Sequence, residues 1–139
     1  DVETVYALSD VATAPRTQET YVEALLGFQG GIAATFTSAN HTGYADNSVT
    51  VIGTKGRAYC SGINTFVSDG VLRVRTDQGE TVREFHGGNM FVDQIEAFNQ
   101  SIETGKEPNA SGVDGWRERQ ITLAIRESGT KKTVVNLRR

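Results

Sequence analysis

The chain has 139 residues, 37% of them hydrophobic and 22% charged, with a formal net charge of −3 and a pI near 5.4. That length and apolar content suit one globular domain with its own core and exclude a disordered chain. Its 14 Lys and Arg are scattered among 17 Asp and Glu, which argues against a nucleic-acid partner, because a protein that grips phosphate backbone carries a clustered basic face.

Residues 2–9 are rich in β-formers and predict a first strand. Residues 11–17, with Pro15, read as a polar loop. Residues 19–28 predict a second strand, Gln29-Gly30-Gly31 a turn, and residues 32–40 a returning third strand, together a hairpin. Residues 41–47 form a loop. A fourth strand covers 48–52, and Gly53-Thr54-Lys55-Gly56 turns it into a fifth over 57–61. Residues 65–68 and 71–76 read as a hairpin around Asp69-Gly70, a strong short-range turn signal. Asp77-Gln78-Gly79 turns the chain again before a strand at 80–85.

The hydrophobic period then changes from two to 3.6. Phe91, Ile95, Phe98 and Ile102 make one apolar stripe on a helix, with Asn89 as N-cap, Gly105 beyond its end and Pro108 barring continuation. Ser111-Gly112-Val113-Asp114 resembles a capping box and opens a second helix. Its apolar arc is wide. Trp116 and Leu123 lie on one flank, Val113 and Ala124 in the middle, and Ile121 and Ile125 on the other, so something besides a sheet is expected to cover part of it. Arg117 falls inside this arc, either snorkelling from the first turn or facing a partner. Residues 133–137 predict a last strand. Strands and helices segregate, which predicts an α+β fold: a mostly antiparallel, open-faced sheet with two C-terminal helices packed on one face. An open sheet face is expected to be covered by another subunit, giving a homo-oligomer.

Much familiar chemistry is missing. None of the 15 glycines is separated from another by a single residue, so the dinucleotide turn is absent. Gly53-Thr54-Lys55-Gly56 lacks the ending and the following helix of a phosphate loop. His41 and His86 have no second histidine a helical turn away, so no zinc pair is visible, and each reads as a surface residue. Cys60 is the single cysteine, which excludes an internal disulfide and points to a reducing, cytoplasmic setting. No window has the ~20 apolar residues of a membrane span, and no signal-peptide pattern is seen. The catalytic, cofactor-binding and metal sets within the chain are therefore expected to be empty. One loop stands out: residues 40–47 pack hydrogen-bonding side chains and Tyr44 at a strand end, which suits a hydroxylated small molecule.

Phe91-Val92-Asp93-Gln94-Ile95-Glu96-Ala97-Phe98, Gly105-Lys106-Glu107-Pro108, Ser111-Gly112-Val113-Asp114-Gly115 and Ala124-Ile125-Arg126-Glu127-Ser128 stand in an order and spacing that resemble the C-terminal domain of the glucose–fructose oxidoreductase/inositol dehydrogenase/MocA family. Leu26-Gly27-Phe28-Gln29-Gly30-Gly31 resembles that family's Leu-x-Phe-x-Asn-Gly hairpin, with Gly30 in place of asparagine, and Gly53-Thr54-Lys55-Gly56 its Gly-Thr-x-Gly turn. The fold implied is the dihydrodipicolinate reductase-like C-terminal domain.

The resemblance implies a parent enzyme that uses NAD or NADP on a sugar, polyol or similar hydroxy compound, with an N-terminal Rossmann domain as partner. The chain starts at Asp1 without a methionine and is expected to be the back half of that parent, a single domain over 1–139 that is inactive alone. The family's catalytic lysine belongs to a Glu-Lys-Pro motif of the first domain, and its Asp-x-x-x-His pair precedes the first strand matched here. Lys106, in a different order and place, is not that lysine, and Asp93 and His86 do not reproduce the pair. By position, Tyr44 matches a segment that faces the cleft, so Tyr44, His41 and Asn40 are the candidate substrate contacts, and Trp116 and Arg117 the candidate domain-interface residues. Two rival readings remain open: a stand-alone small-ligand-binding module and a purely structural oligomerisation domain.

Overall fold

The computed structural model describes residues 1–10, 19–40, 42–43, 46–63 and 69–137. They form eight strands and two helices: β1 Val2–Ser9, β2 Tyr21–Phe28, β3 Ala33–Ala39, β4 Ser48–Gly53, β5 Gly56–Ser61, β6 Asp69–Thr76, β7 Gly79–His86, α1 Met90–Thr104, α2 Gly112–Lys131 and β8 Val135–Asn136. The strands divide into two four-stranded sheets, β3-β2-β1-β8 and β4-β5-β6-β7, and every pairing is antiparallel. The α+β class expected from the sequence is the one observed. The chain forms two compact units, one of residues 1–43 and 110–139, the other of residues 44–109.

The first unit holds the core. Val5 and Ala7 of β1 pair with Leu26 and Ala24 of β2, and Val22 lies two residues along, so alternate side chains fall on one face of the sheet. On that face Val5, Ala7, Val22 and Ala24 are buried, with Leu26 and Ile125 packed against the cluster. Helix α2 contributes Ala124, Ser128 and Gly129 as its buried residues. A Cβ on Gly129 would lie 2.7 Å from Ser9 Oγ and 3.3 Å from Ser9 Cβ, so the absence of a side chain here lets the helix lie close to β1 without displacing Ser9.

Ser128 is completely buried and makes the polar link between helix and sheet. The Ala7 N–H donates to Ser128 Oγ at 2.8 Å, and Ser128 Oγ donates to the Thr133 carbonyl at 2.6 Å. Strand β8 pairs only with Thr4 and Val5, so the hydroxyl satisfies a β1 amide that the short edge strand does not reach.

In the second unit the register sorts side chains into two unlike faces. Val49, Cys60, Leu72 and Arg83 form one cross-strand row, and Val51, Ala58, Val74 and Thr81 the next, giving an aliphatic face. The opposite face carries the rows Thr50, Tyr59, Arg73, Val82 and Ile52, Arg57, Arg75, Glu80. None of the described residues of this unit is buried.

Asp69-Gly70, expected as a hairpin turn, is instead the start of β6, where the two residues pair with His86 and Phe85. A Cβ on Gly70 would lie 3.1 Å from the Ser61 carbonyl oxygen, so this glycine serves close strand approach rather than chain reversal. The expected strand at 65–68 falls outside the described residues.

Both helix starts follow the sequence signals. Asn89 Oδ1 accepts from the Phe91 N–H at 3.0 Å, and Gly105 ends α1 with a left-handed φ of 66°. The stripe on α1 is exposed: Phe91, Ile95, Phe98 and Ile102 are 51%, 61%, 60% and 67% accessible.

Candidate functional site

Of the three expected substrate contacts, the described residues contain only Asn40. His41 and Tyr44 fall outside them. Asn40 follows β3 directly, with an exposed side chain, and its N–H donates to the Thr20 carbonyl at 2.9 Å. This backbone bond fixes where the 40–47 loop leaves the sheet.

Thr20 is itself clamped by Asp10. The Asp10 carboxylate accepts from the Thr20 hydroxyl, from the Thr20 N–H at 2.9 Å and from the Tyr21 N–H at 3.2 Å. These donors, the Thr20 hydroxyl first, hold the Asp10 carboxyl down at about 2 against an ordinary 3.8. The loop is thus carried on a strand end whose neighbour is pinned by an ionised carboxylate.

A polar network on the outward face of the first sheet escaped the sequence reading. The Tyr21 hydroxyl donates to Glu23 Oε2 at 3.0 Å, and the Thr37 hydroxyl reaches both Glu23 oxygens at 3.0 and 2.9 Å. The hydrogen bond to the Glu23 carboxylate, followed by its charge, raises the Tyr21 pKa above its usual value. Exposed Tyr6, Leu8 and Leu25 share this face. The signal available was the alternation Tyr21, Glu23, Leu25 along one strand, but alternation alone does not say which polar side chains will meet.

At the other candidate locus, the start of α2, the capping box is complete. Ser111 Oγ accepts from the Asp114 N–H at 3.4 Å, and the Asp114 carboxylate accepts from the Ser111 N–H at 2.9 Å. That backbone donor, then the Ser111 hydroxyl and the Arg117 charge, lower the Asp114 pKa. Arg117 lies 3.9 Å from both Asp114 and Asp1 and is half exposed. It therefore stays near the helix start among carboxylates. Trp116 is 62% exposed, Val113 55% and Leu123 47%. The wide arc divides accordingly: the flank of Ala124 and Ile125 meets the sheet, and the flank of Trp116 faces solvent.

Among the described residues no group of three or more His, Cys, Asp or Glu is arranged to hold a metal ion. Cys60 is a free thiol in β5. His86 Nδ1 lies 3.6 Å from Asp69 Oδ1, its cross-strand partner, and both are exposed. No described helix is long and apolar enough to cross a membrane. The described residues do not fit a dinucleotide either. That ligand is cradled where a parallel strand runs through a glycine turn into a helix, whereas every strand pair here is antiparallel.

Comparison with known proteins agrees with this fold. Residues 1–137 match the family described as "Oxidoreductase family, C-terminal alpha/beta domain". The 1,5-anhydro-D-fructose reductase of Ensifer adhaerens is 31% identical over 98 residues, which are 70% of this chain and 29% of that protein. The aldose-aldose oxidoreductase of Caulobacter crescentus, solved with glycerol, superposes with a TM-score of 0.84 at 24% identity, over 99% of this chain and 42% of that one. A levoglucosan dehydrogenase solved with NADH and L-sorbose superposes with a TM-score of 0.79 at 16% identity, over 100% of this chain and 45% of that one. The chain thus spans less than half the length of these relatives. On the match to residues 1–137, together with the antiparallel sheets and two capped helices, the chain belongs to the Gfo/Idh/MocA oxidoreductase family as its C-terminal alpha/beta domain.

Proposed function

We propose that this chain is the substrate-pocket wall and assembly domain of an NAD(P)-dependent oxidoreductase that acts on a sugar, polyol or related hydroxy compound. The observation that carries the reading is the family match over residues 1–137 by a chain that covers 29% of a relative named as a 1,5-anhydro-D-fructose reductase. An N-terminal Rossmann domain of the parent polypeptide binds the nicotinamide dinucleotide, which accepts or donates the hydride. That domain also supplies the acid–base residue.

In this reading the 40–47 loop lines the cleft, and Asn40, His41 and Tyr44 hydrogen-bond substrate hydroxyls. The exposed flank of α2, with Trp116 and Arg117, meets the Rossmann domain, since a wide apolar arc half buried in its own unit suits a second contact. A second copy of the chain covers an open sheet face.

The test is made on the parent polypeptide, assayed with 1,5-anhydro-D-fructose and NADH or NADPH. Tyr44→Ala is expected to raise KM about tenfold, the loss of one hydrogen bond to a bound hydroxyl. Unchanged KM and kcat would remove the loop from the pocket, and no turnover of any sugar or polyol by the unaltered parent would overturn the enzymatic reading.

A further inference from the structure

The second sheet contains a like-charge pair that its own carboxylates do not neutralise. Arg57 and Arg75 are direct cross-strand partners on β5 and β6, on the face that also carries Arg73. Like charges placed opposite each other destabilise a strand pair. The acid within reach, Glu80, is the cross-strand partner of Arg75, yet it pairs with Arg73 at 3.5 Å. Among the described residues neither Arg57, Arg75 nor Lys55 makes an ion pair.

These three cations surround one cleft. The β4–β5 turn at Thr54-Lys55 and the β6–β7 turn at Asp77-Gln78 emerge from the same end of the sheet, on either side of the Gly56–Thr76 pair. Between them lies an open cleft of about 760 Å³ lined by Lys55, Arg57, Arg75, Thr54, Thr76 and Asp77 among others. The geometry depends on Gly56, where a Cβ would lie 2.5 Å from the Arg75 carbonyl oxygen. The lining sets three cations against one carboxylate. Adjacent guanidinium groups on neighbouring strands suit a tetrahedral dianion, which offers several acceptor oxygens and neutralises both charges, better than a single carboxylate, which neutralises one.

We propose that the cleft between the two turns binds the phosphate group of a small phosphorylated molecule, with Arg57 and Arg75 beneath it and Lys55 at its side. The site shares no residue with 40–47 and does not depend on the oxidoreductase reading.

The test is a thermal melt of the 139-residue chain at fixed ionic strength, titrated in turn with inorganic phosphate, glycerol 3-phosphate, glycerol and acetate. Saturable stabilisation by both phosphates in the millimolar range, absent with glycerol and weaker with acetate, is the expected result. In Arg57→Gln/Arg75→Gln the half-saturation point moves up about tenfold or more, the loss expected for bidentate guanidinium–phosphate contacts. With the like charges gone, that variant melts no lower than the original chain in phosphate-free buffer. Should the double variant fail to fold, the arginines are structural and the proposal falls. Lys55→Gln, in an exposed turn, gives an independent reading and must also weaken phosphate. A stabilisation that rises linearly, matches that by acetate or persists in the variants marks a general salt effect and overturns the site. Response to inorganic phosphate without response to glycerol 3-phosphate overturns the phosphorylated-molecule assignment.

Discussion

Asp10 extends the β1–β2 pairing beyond Ser9 and Val22 to the residues that lead into β2. One side-chain carboxylate accepts a hydroxyl and two backbone N–H groups from Thr20 and Tyr21. Thr20 in turn accepts from Asn40, so the clamp supports the strand end from which the candidate loop departs. Its pH dependence follows from the direction of the shift. The folded-state pKa of about 2 lies below the ordinary 3.8, so the folded chain holds this proton less tightly than the unfolded one. The stabilisation is therefore complete above the unfolded value and is lost as pH falls through about 2. Asp10→Ala is expected to melt below the original chain at pH 7, with a gap that narrows under about pH 4 and closes near pH 2. Melting curves across that range check it, and a gap constant down to pH 2.5 would show that ionisation of Asp10 plays no part. A residue-level reading of the sequence did not find this clamp, because Asp and Thr ten positions apart meet only once the hairpin register is known.

The two helices show what periodicity reveals and what it leaves out. Their caps were legible because Asn89, Gly105, Ser111 and Asp114 act on backbone groups within the same turn. Their burial was not, because a stripe reports that a face is apolar and not what covers it. Asp69-Gly70 failed for a related reason: a local turn preference yielded to strand pairing with His86 and Phe85. On α2 the flank with Ala124 and Ile125 has its contact within the first unit. Trp116, at 62% exposure, lies on the other. Trp116→Ala is therefore expected to cost this chain about 0.5 kcal/mol or less in urea unfolding. Loss of about 3–5 kcal/mol, the cost of deleting a buried aromatic ring, would place the indole in a core instead.

At the scale of the whole molecule, the fold class and the order of elements were readable because segregated strands and helices restrict the layer architectures available. The candidate site was readable only as a loop position, since side chains that act at a distance in sequence carry no periodic signal. What neither pattern nor motif disclosed is the uneven distribution of burial. Val5, Ala7, Val22, Ala24, Ala124 and Ser128 all belong to the unit of residues 1–43 and 110–139, whereas no described residue between 44 and 109 is buried. Backbone ladders run along both sheets, with one register shift between Val2 and Thr4 in the first, so hydrogen bonding does not explain the difference. Local stability follows buried apolar contact as well as ladder bonds, and segments with little of it open first. In native-state hydrogen exchange the amides of β1, β2 and the second half of α2 are thus expected to be protected at least ~10-fold more than those of β4–β7. Uniform protection across both sheets would mean that the chain opens as one cooperative body, with the partly exposed aliphatic rows of β4–β6 contributing as much as the buried core.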